Sequence, residues 1–207
     1  MTHSANPNLN PAFPTRSYDA LIFDCDGTLT DSMPLHYVAW SSTLSSYGIP
    51  FPEERFYALG GMPSQQIVRL LASEHGVVVD AHHAATEKEA LFVSLMDRLL
   101  PIREVLEVVL HFCGKLPMGV ASGGYREIIL KQLRQIGCVD HFQTIVTAED
   151  TTRHKPEPDV FLLAAERLRA RPNNCLVYED SDLGIEAARA AGMDFIDVRS
   201  LTRRGQR

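Results

Sequence analysis

The chain has 207 residues, 45% of them apolar and 22% charged, which marks a globular protein with one sizeable core and room for an inserted lobe. Its formal net charge of −6 argues against broad binding to nucleic acid or to an anionic membrane, so any recognition of phosphate must come from a local pocket. No apolar run is long enough to span a bilayer.

Residues 1–17 are rich in Asn, Pro, Thr and Ser and lack both the apolar stretch of a secretory signal and the Arg-rich pattern of a transit peptide, so they read as a loose arm. Cys25, Cys113, Cys138 and Cys175 are scattered, mostly beside apolar residues, and no two stand at zinc-ligand spacing. They are expected to be buried free thiols in a reducing compartment, which places the protein in the cytoplasm. His82-His83 reads as an exposed helix face.

The first strand is Ala20-Leu21-Ile22, and it runs into Phe23-Asp24-Cys25-Asp26-Gly27-Thr28. A buried strand seldom ends in two acids unless a cation or a shared proton compensates their charge. Alternation sends Asp24 and Asp26 to one side of the strand end and Cys25 into packing on the other. A calcium loop and a plain turn are the alternatives, and the missing third acid and closing Glu weaken the first.

Helical periodicity then predicts helices over 31–47, 65–75 and 84–100 with no strand between them, an all-helical insert. Beyond Pro101 strand and helix alternate: strands over 117–121, 144–147, 175–178 and 195–198, and helices over 126–136, 158–169 and 184–191. The fold class is therefore α/β, a Rossmann-like parallel sheet core with helices on both faces plus an inserted all-helical cap. The division is a core of residues 18–32 and 101–207 and a cap of 33–100.

Four polar clusters follow strands: Asp24 to Thr28, Ser122-Gly123-Gly124, Lys155 to Asp159, and Glu179-Asp180-Ser181-Asp182. Each alone is ordinary turn or cap chemistry, but in an open α/β sheet the carboxyl ends of the strands share one crevice. The chemistry they permit together is phosphoryl transfer. Asp24 can attack phosphorus to give an aspartyl-phosphate, and Asp26, with a pKa raised by its neighbours, can protonate the leaving oxygen and then activate water. Glu179 and Asp180 suit Mg²⁺, a hard cation; Ser122 and the N–H groups of Gly123 and Gly124 can cradle phosphoryl oxygens, and Lys155 adds a fixed charge.

In this order Asp24-x-Asp26-Gly-Thr28, Ser122, Lys155 and Glu179-Asp180 resemble the four motifs of the haloacid dehalogenase superfamily, over about residues 18–201. The resemblance implies Asp24 as nucleophile, Asp26 as general acid/base, and Ser122, Gly123 and Lys155 as phosphate binders. It also implies Asp24, the Asp26 carbonyl and Asp180 around Mg²⁺, with Glu179 as ligand or beside the metal. The insert resembles the cap of the beta-phosphoglucomutase-like branch.

Ser32, His36 and Trp40 resemble the entrance of the sugar phosphomutases, and Lys88 falls where their cap carries a lysine. Each has a plainer alternative: His36 on a helix face, Trp40 in the core, Lys88 as a solvated partner of Glu87 and Glu89. Ser64 stands where a mutase places an arginine for the second phosphate, and with Gln65 it resembles bacterial fructose-1-phosphatase-type enzymes. The expected activity is Mg²⁺-dependent hydrolysis of a small phosphorylated molecule, most readily a sugar phosphate such as fructose 1-phosphate. A phosphomutase is the runner-up and a non-catalytic protein keeping the fold the remote alternative. The partner is a small-molecule substrate, not nucleic acid or membrane, and a monomer is favoured.

Overall fold

The computed structural model describes residues 10–201. Five strands, β1 (Ala20–Phe23), β2 (Met118–Ala121), β3 (Thr144–Val146), β4 (Cys175–Glu179) and β5 (Asp194–Asp197), form one parallel sheet in the order β3-β2-β1-β4-β5. The three central strands are buried on both faces, which is why their sequences are unbroken apolar runs.

Eight helices accompany the described strands: α1 (Met33–Ser46), α2 (Glu53–Ala58), α3 (Ser64–His75), α4 (Ala81–Ser94), α5 (Arg103–Phe112), α6 (Arg126–Gln135), α7 (Asp159–Arg167) and α8 (Asp182–Ala190). Alternation along β1 divides the core. Leu21 and Phe23 pack with Val105, Val108 and Val109 of α5 and Ile129 and Leu133 of α6, while Ala20 and Ile22 face Phe161 of α7 and Ala187 of α8. Helices α1 to α4 carry apolar clusters of their own, around Leu44, Phe51, Val68 and Leu71 and around Leu35, Ala39 and Phe92.

The chain builds β1, β2 and β3 outward in one direction and then returns to lay β4 on the other side of β1. The switch between β1 and β4 opens a crevice at their carboxyl ends. Gly60-Gly61, after α2, rests over it: a Cβ on Gly123 would lie 2.8 Å from the Gly61 carbonyl, and one on Gly61 would lie 3.0 Å from Ser181 Oγ. Glycine at 61 and 123 lets the helical layer approach this closely.

Several expectations need correction. Residues 1–9 of the expected loose arm lie outside the described residues, but 10–17 are tied down: Ala12 is fully buried with its carbonyl accepting from Tyr178 Oη at 2.7 Å, and Arg16 pairs with Asp194. The helix expected over 84–100 begins at Ala81, where the Asp80 carboxylate caps the His82 and His83 amides, and ends at Ser94. Cys25, Cys138 and Cys175 are buried, whereas Cys113 is exposed just past the end of α5. Helices α2 and α5 lie where helical periodicity predicts no element. No helix among the described residues is long and apolar enough to cross a membrane.

Candidate active site

A pocket of about 90 Å³ lies between the crevice and the helical layer, room for several waters or a small polar ligand. Its core side is lined by Asp24, Asp26, Ser122, Gly123, Gly124, Glu179 and Asp180, and its helical side includes His36, Trp40, Ser64 and Lys88. Ser32, Gln65 and Lys155 are not in the lining, and each reaches a lining residue through a hydrogen bond instead.

Asp24 follows β1 and is 6% exposed. Lys155, itself buried, donates to Asp24 Oδ1 and to Glu179 Oε2, both at 2.7 Å. Oxygens of Asp24, Glu179 and Asp180 lie within 4.8 Å of one another. Burial drives the Asp24 carboxyl up to about 8, Lys155 pulling against this and the Glu179 and Asp26 charges adding to it. Burial, then Glu179 and Asp24, push Asp180 up in the same way. Burial works to lower the Lys155 ammonium, but Asp24 and Glu179 outweigh it and hold its pKa above the ordinary lysine value.

Two buried carboxylates and a half-buried one against one ammonium leave a deficit of positive charge, and an all-oxygen donor set is what a hard divalent cation takes. The surroundings fit one. Gly27 has φ +80, and a Cβ there would fall 2.0 Å from Asp180 Oδ2, so only glycine lets this turn pass the carboxylate. Glu179 is already engaged at both oxygens, Oε2 with Lys155 and Oε1 with the Asp180 amide and the Ser181 amide and hydroxyl.

Asp26 differs from its expectation. Burial favours its neutral form, yet His36, Ser32 and Gln132 overcome that and hold the carboxyl well below the usual range. All three donate to Oδ1, at 2.7 Å from Ser32 and 2.8 Å from the other two. Since Lys88 can only donate to His36 Nδ1, 2.8 Å away, His36 carries its proton on Nε2 and gives it to Asp26. A second expectation also changes: the Gly124 amide, assigned to a phosphate cradle, donates to Ser122 Oγ at 3.1 Å.

On the helical side Lys88 is 3% exposed, so it is not solvated; besides His36 it pairs with Glu89 at 3.0 Å. Ser64 donates to the same Glu89 oxygen at 2.8 Å, and Gln65 donates across to Tyr125 of the core. Trp40 is 2% exposed, packs edge-on to Phe51 in the core of the helical layer and also lines the pocket. Sequence reasoning missed Gln132, Tyr125 and the placement of Glu89. Gln132 and Glu89 arrive from helix faces that no motif marks, although the Glu89 charge beside Lys88 was visible as a possible partner. Tyr125, in contrast, directly follows the Ser122-Gly123-Gly124 cluster, which could have signalled it.

A sequence model of the haloacid dehalogenase-like hydrolases matches residues 18–192. The chain belongs to that family. It is 40% identical over 185 residues to a fructose-1-phosphate phosphatase from Escherichia coli, covering 89% of this chain and 98% of the relative. It is 30% identical to a phosphorylated carbohydrates phosphatase from Thermotoga maritima, covering 86% of this chain and 83% of the relative. Among solved structures it superposes on a beta-phosphoglucomutase from Clostridium difficile with a TM-score of 0.78 and 26% identity, covering 87% of this chain and 84% of that one. Within the family its activity is that of a phosphoric monoester hydrolase.

Proposed function

We propose that the chain hydrolyses small sugar phosphates with Mg²⁺, through an aspartyl-phosphate on Asp24. The observation that carries this is a buried Asp24 held by Lys155, within 4.8 Å of Asp180, at the floor of a small pocket. Asp24 and Asp180 would hold the cation, joined by the Asp26 carbonyl, while Glu179 fixes Lys155 and the turn into α8. When bound, Mg²⁺ neutralises phosphoryl oxygens and lowers the charge cost of attack by a carboxylate.

The chain's own residues supply the rest. Lys155 orients Asp24 Oδ1, and Ser122 and Gly123 stand beside the position of the phosphoryl group. Asp26 takes the acid/base role: it gives a proton to the leaving oxygen and, as the carboxylate so formed, takes one back from the water that cleaves the aspartyl-phosphate. Since its resting form is ionised, it takes up the first proton when the substrate binds. Ser32, His36 and Gln132 aim it. Residues 33–100 act as the cap and 18–32 with 101–207 as the catalytic core, of which 202–207 lie outside the described residues, so substrate choice lies with Ser64, Gln65, Lys88 and Trp40. Four unpaired cysteines suit the cytoplasm.

A phosphomutase is the second reading, favoured by the fold of the Clostridium neighbour and by a beta-phosphoglucomutase relative from Bacillus subtilis at 29% identity. Against it, Lys88 is the single lysine or arginine lining the pocket among the described residues, and it is engaged with His36 and Glu89. Phosphate release from p-nitrophenyl phosphate and fructose 1-phosphate, with Mg²⁺ and with EDTA, tests the assignment. Metal-dependent release is expected from both, and none from either would overturn it. Rapid conversion of beta-glucose 1-phosphate to glucose 6-phosphate, with trace glucose 1,6-bisphosphate and no free phosphate, would establish the mutase instead.

A further inference from the structure

Glu89, on α4, lines the pocket opposite the Asp24 cluster, and its two oxygens are treated unequally. Ser64 and Lys88 both donate to Oε1, whereas Oε2 is buried and has no hydrogen-bond partner among the described residues. A buried carboxylate oxygen left without a donor is costly, and the cost is recovered when a ligand brings one. A sugar hydroxyl brings a donor. A second phosphate or a carboxylate brings only acceptors and a like charge.

Among the described residues lining the pocket no free cation offsets that charge. Lys88 is balanced by Glu89 itself and occupied by His36 at 2.8 Å, with its ammonium also 5.2 Å from the Trp40 ring. We infer that Glu89 is a specificity residue whose Oε2 accepts from a hydroxyl of a neutral polyol and turns away substrates bearing a second anionic group. This rests on the proposed placement of the transferred phosphate at the Asp24 end of the pocket. Discrimination of this kind is stronger than apolar fit allows, because the wrong ligand leaves a buried polar atom unpaired or repelled.

The test compares kcat/KM for fructose 1-phosphate with that for fructose 1,6-bisphosphate and 6-phosphogluconate, in the full chain with Mg²⁺. The wild type is expected to favour the neutral sugar by at least about tenfold. Glu89→Gln, whose amide can donate to an anion, should shrink that ratio about tenfold, mainly through KM. Glu89→Asp keeps the charge while withdrawing the oxygen, so it should weaken fructose 1-phosphate yet still exclude the bisphosphate. Thermal melts confirm that each variant folds, and the wild-type ratio decides the matter if one does not. Equal use of all three sugars by the wild type, or an unchanged ratio in Glu89→Gln, would overturn the inference. Absence of any wild-type release from p-nitrophenyl phosphate would overturn the phosphatase reading and this with it; release with flat sugar ratios removes this inference alone.

Discussion

At the scale of single residues the site is governed by charge balance. Lys155 is the one ammonium shared by buried Asp24 and Glu179, so Lys155→Met should cost about 3–5 kcal/mol of stability by leaving carboxylates unpaired, read by urea unfolding in EDTA. A loss under about 1 kcal/mol would show that the carboxylates are protonated or hydrated instead. Gly27→Ala places a methyl against Asp180 and strains a positive φ, and should weaken Mg²⁺ binding at least about tenfold by titration calorimetry. Unchanged affinity would remove Asp180 from the ligand set. These residues were legible in the sequence because strand-end acids, a glycine turn and a distant lysine are each unusual after apolar runs. Gln132 was not, since a glutamine on an amphipathic helix looks solvated until the register of α6 on the sheet brings it to Asp26 and Thr30.

Among the elements, α8 is the support on which the acids depend. Ser181 caps it by accepting from the Gly184 amide at 3.1 Å and at the same time donates to Glu179 Oε1 at 2.7 Å. Ser181→Ala should lower stability by about 1–2 kcal/mol and reduce kcat with little change in KM, because the turn holding Glu179 and Asp180 loosens. Unaltered kcat would detach the cap from the catalytic geometry. Strands and the longer helices were readable from apolar period and glycine stops, as with Gly137 after α6 and Gly192 after α8, both in the left-handed conformation. The six residues of α2 were not, for they follow Pro50 and Pro52 and are too short to show a period. In α5, Val105, Leu106, Val108 and Val109 crowd together, so the run gives no clean choice between strand and helix until the sheet face it covers is known. Residues 10–17 looked unstructured by composition because their anchor, Tyr178 on β4, is distant in sequence.

For the whole molecule, stability and turnover depend on joining the two sides of the sheet and the layer above it. Asp150 does the first, bonding Arg126 of α6 and Arg167 of α7, helices that cover opposite faces. Burial opposes its charge, but Thr147 and the two arginines prevail and lower its carboxyl from the ordinary 3.8 to about 2. A depressed carboxylate stabilises the fold above its unfolded pKa, and that contribution disappears as pH falls through the folded value. Asp150→Asn should therefore flatten the fall in stability between about pH 4 and pH 2, measured by denaturant midpoints, and should leave the slope above pH 5 alone. A parallel acid limb in variant and wild type would contradict the pairing.

The proposed hydrolysis turns on attack by Asp24. Mass spectrometry of enzyme quenched in acid during turnover of fructose 1-phosphate tests this most directly. One phosphoryl group is expected on the peptide bearing Asp24, absent from Asp24→Asn, whose turnover should fall by about 10³-fold or more. Phosphate on any other residue, or active turnover in Asp24→Asn, would contradict it.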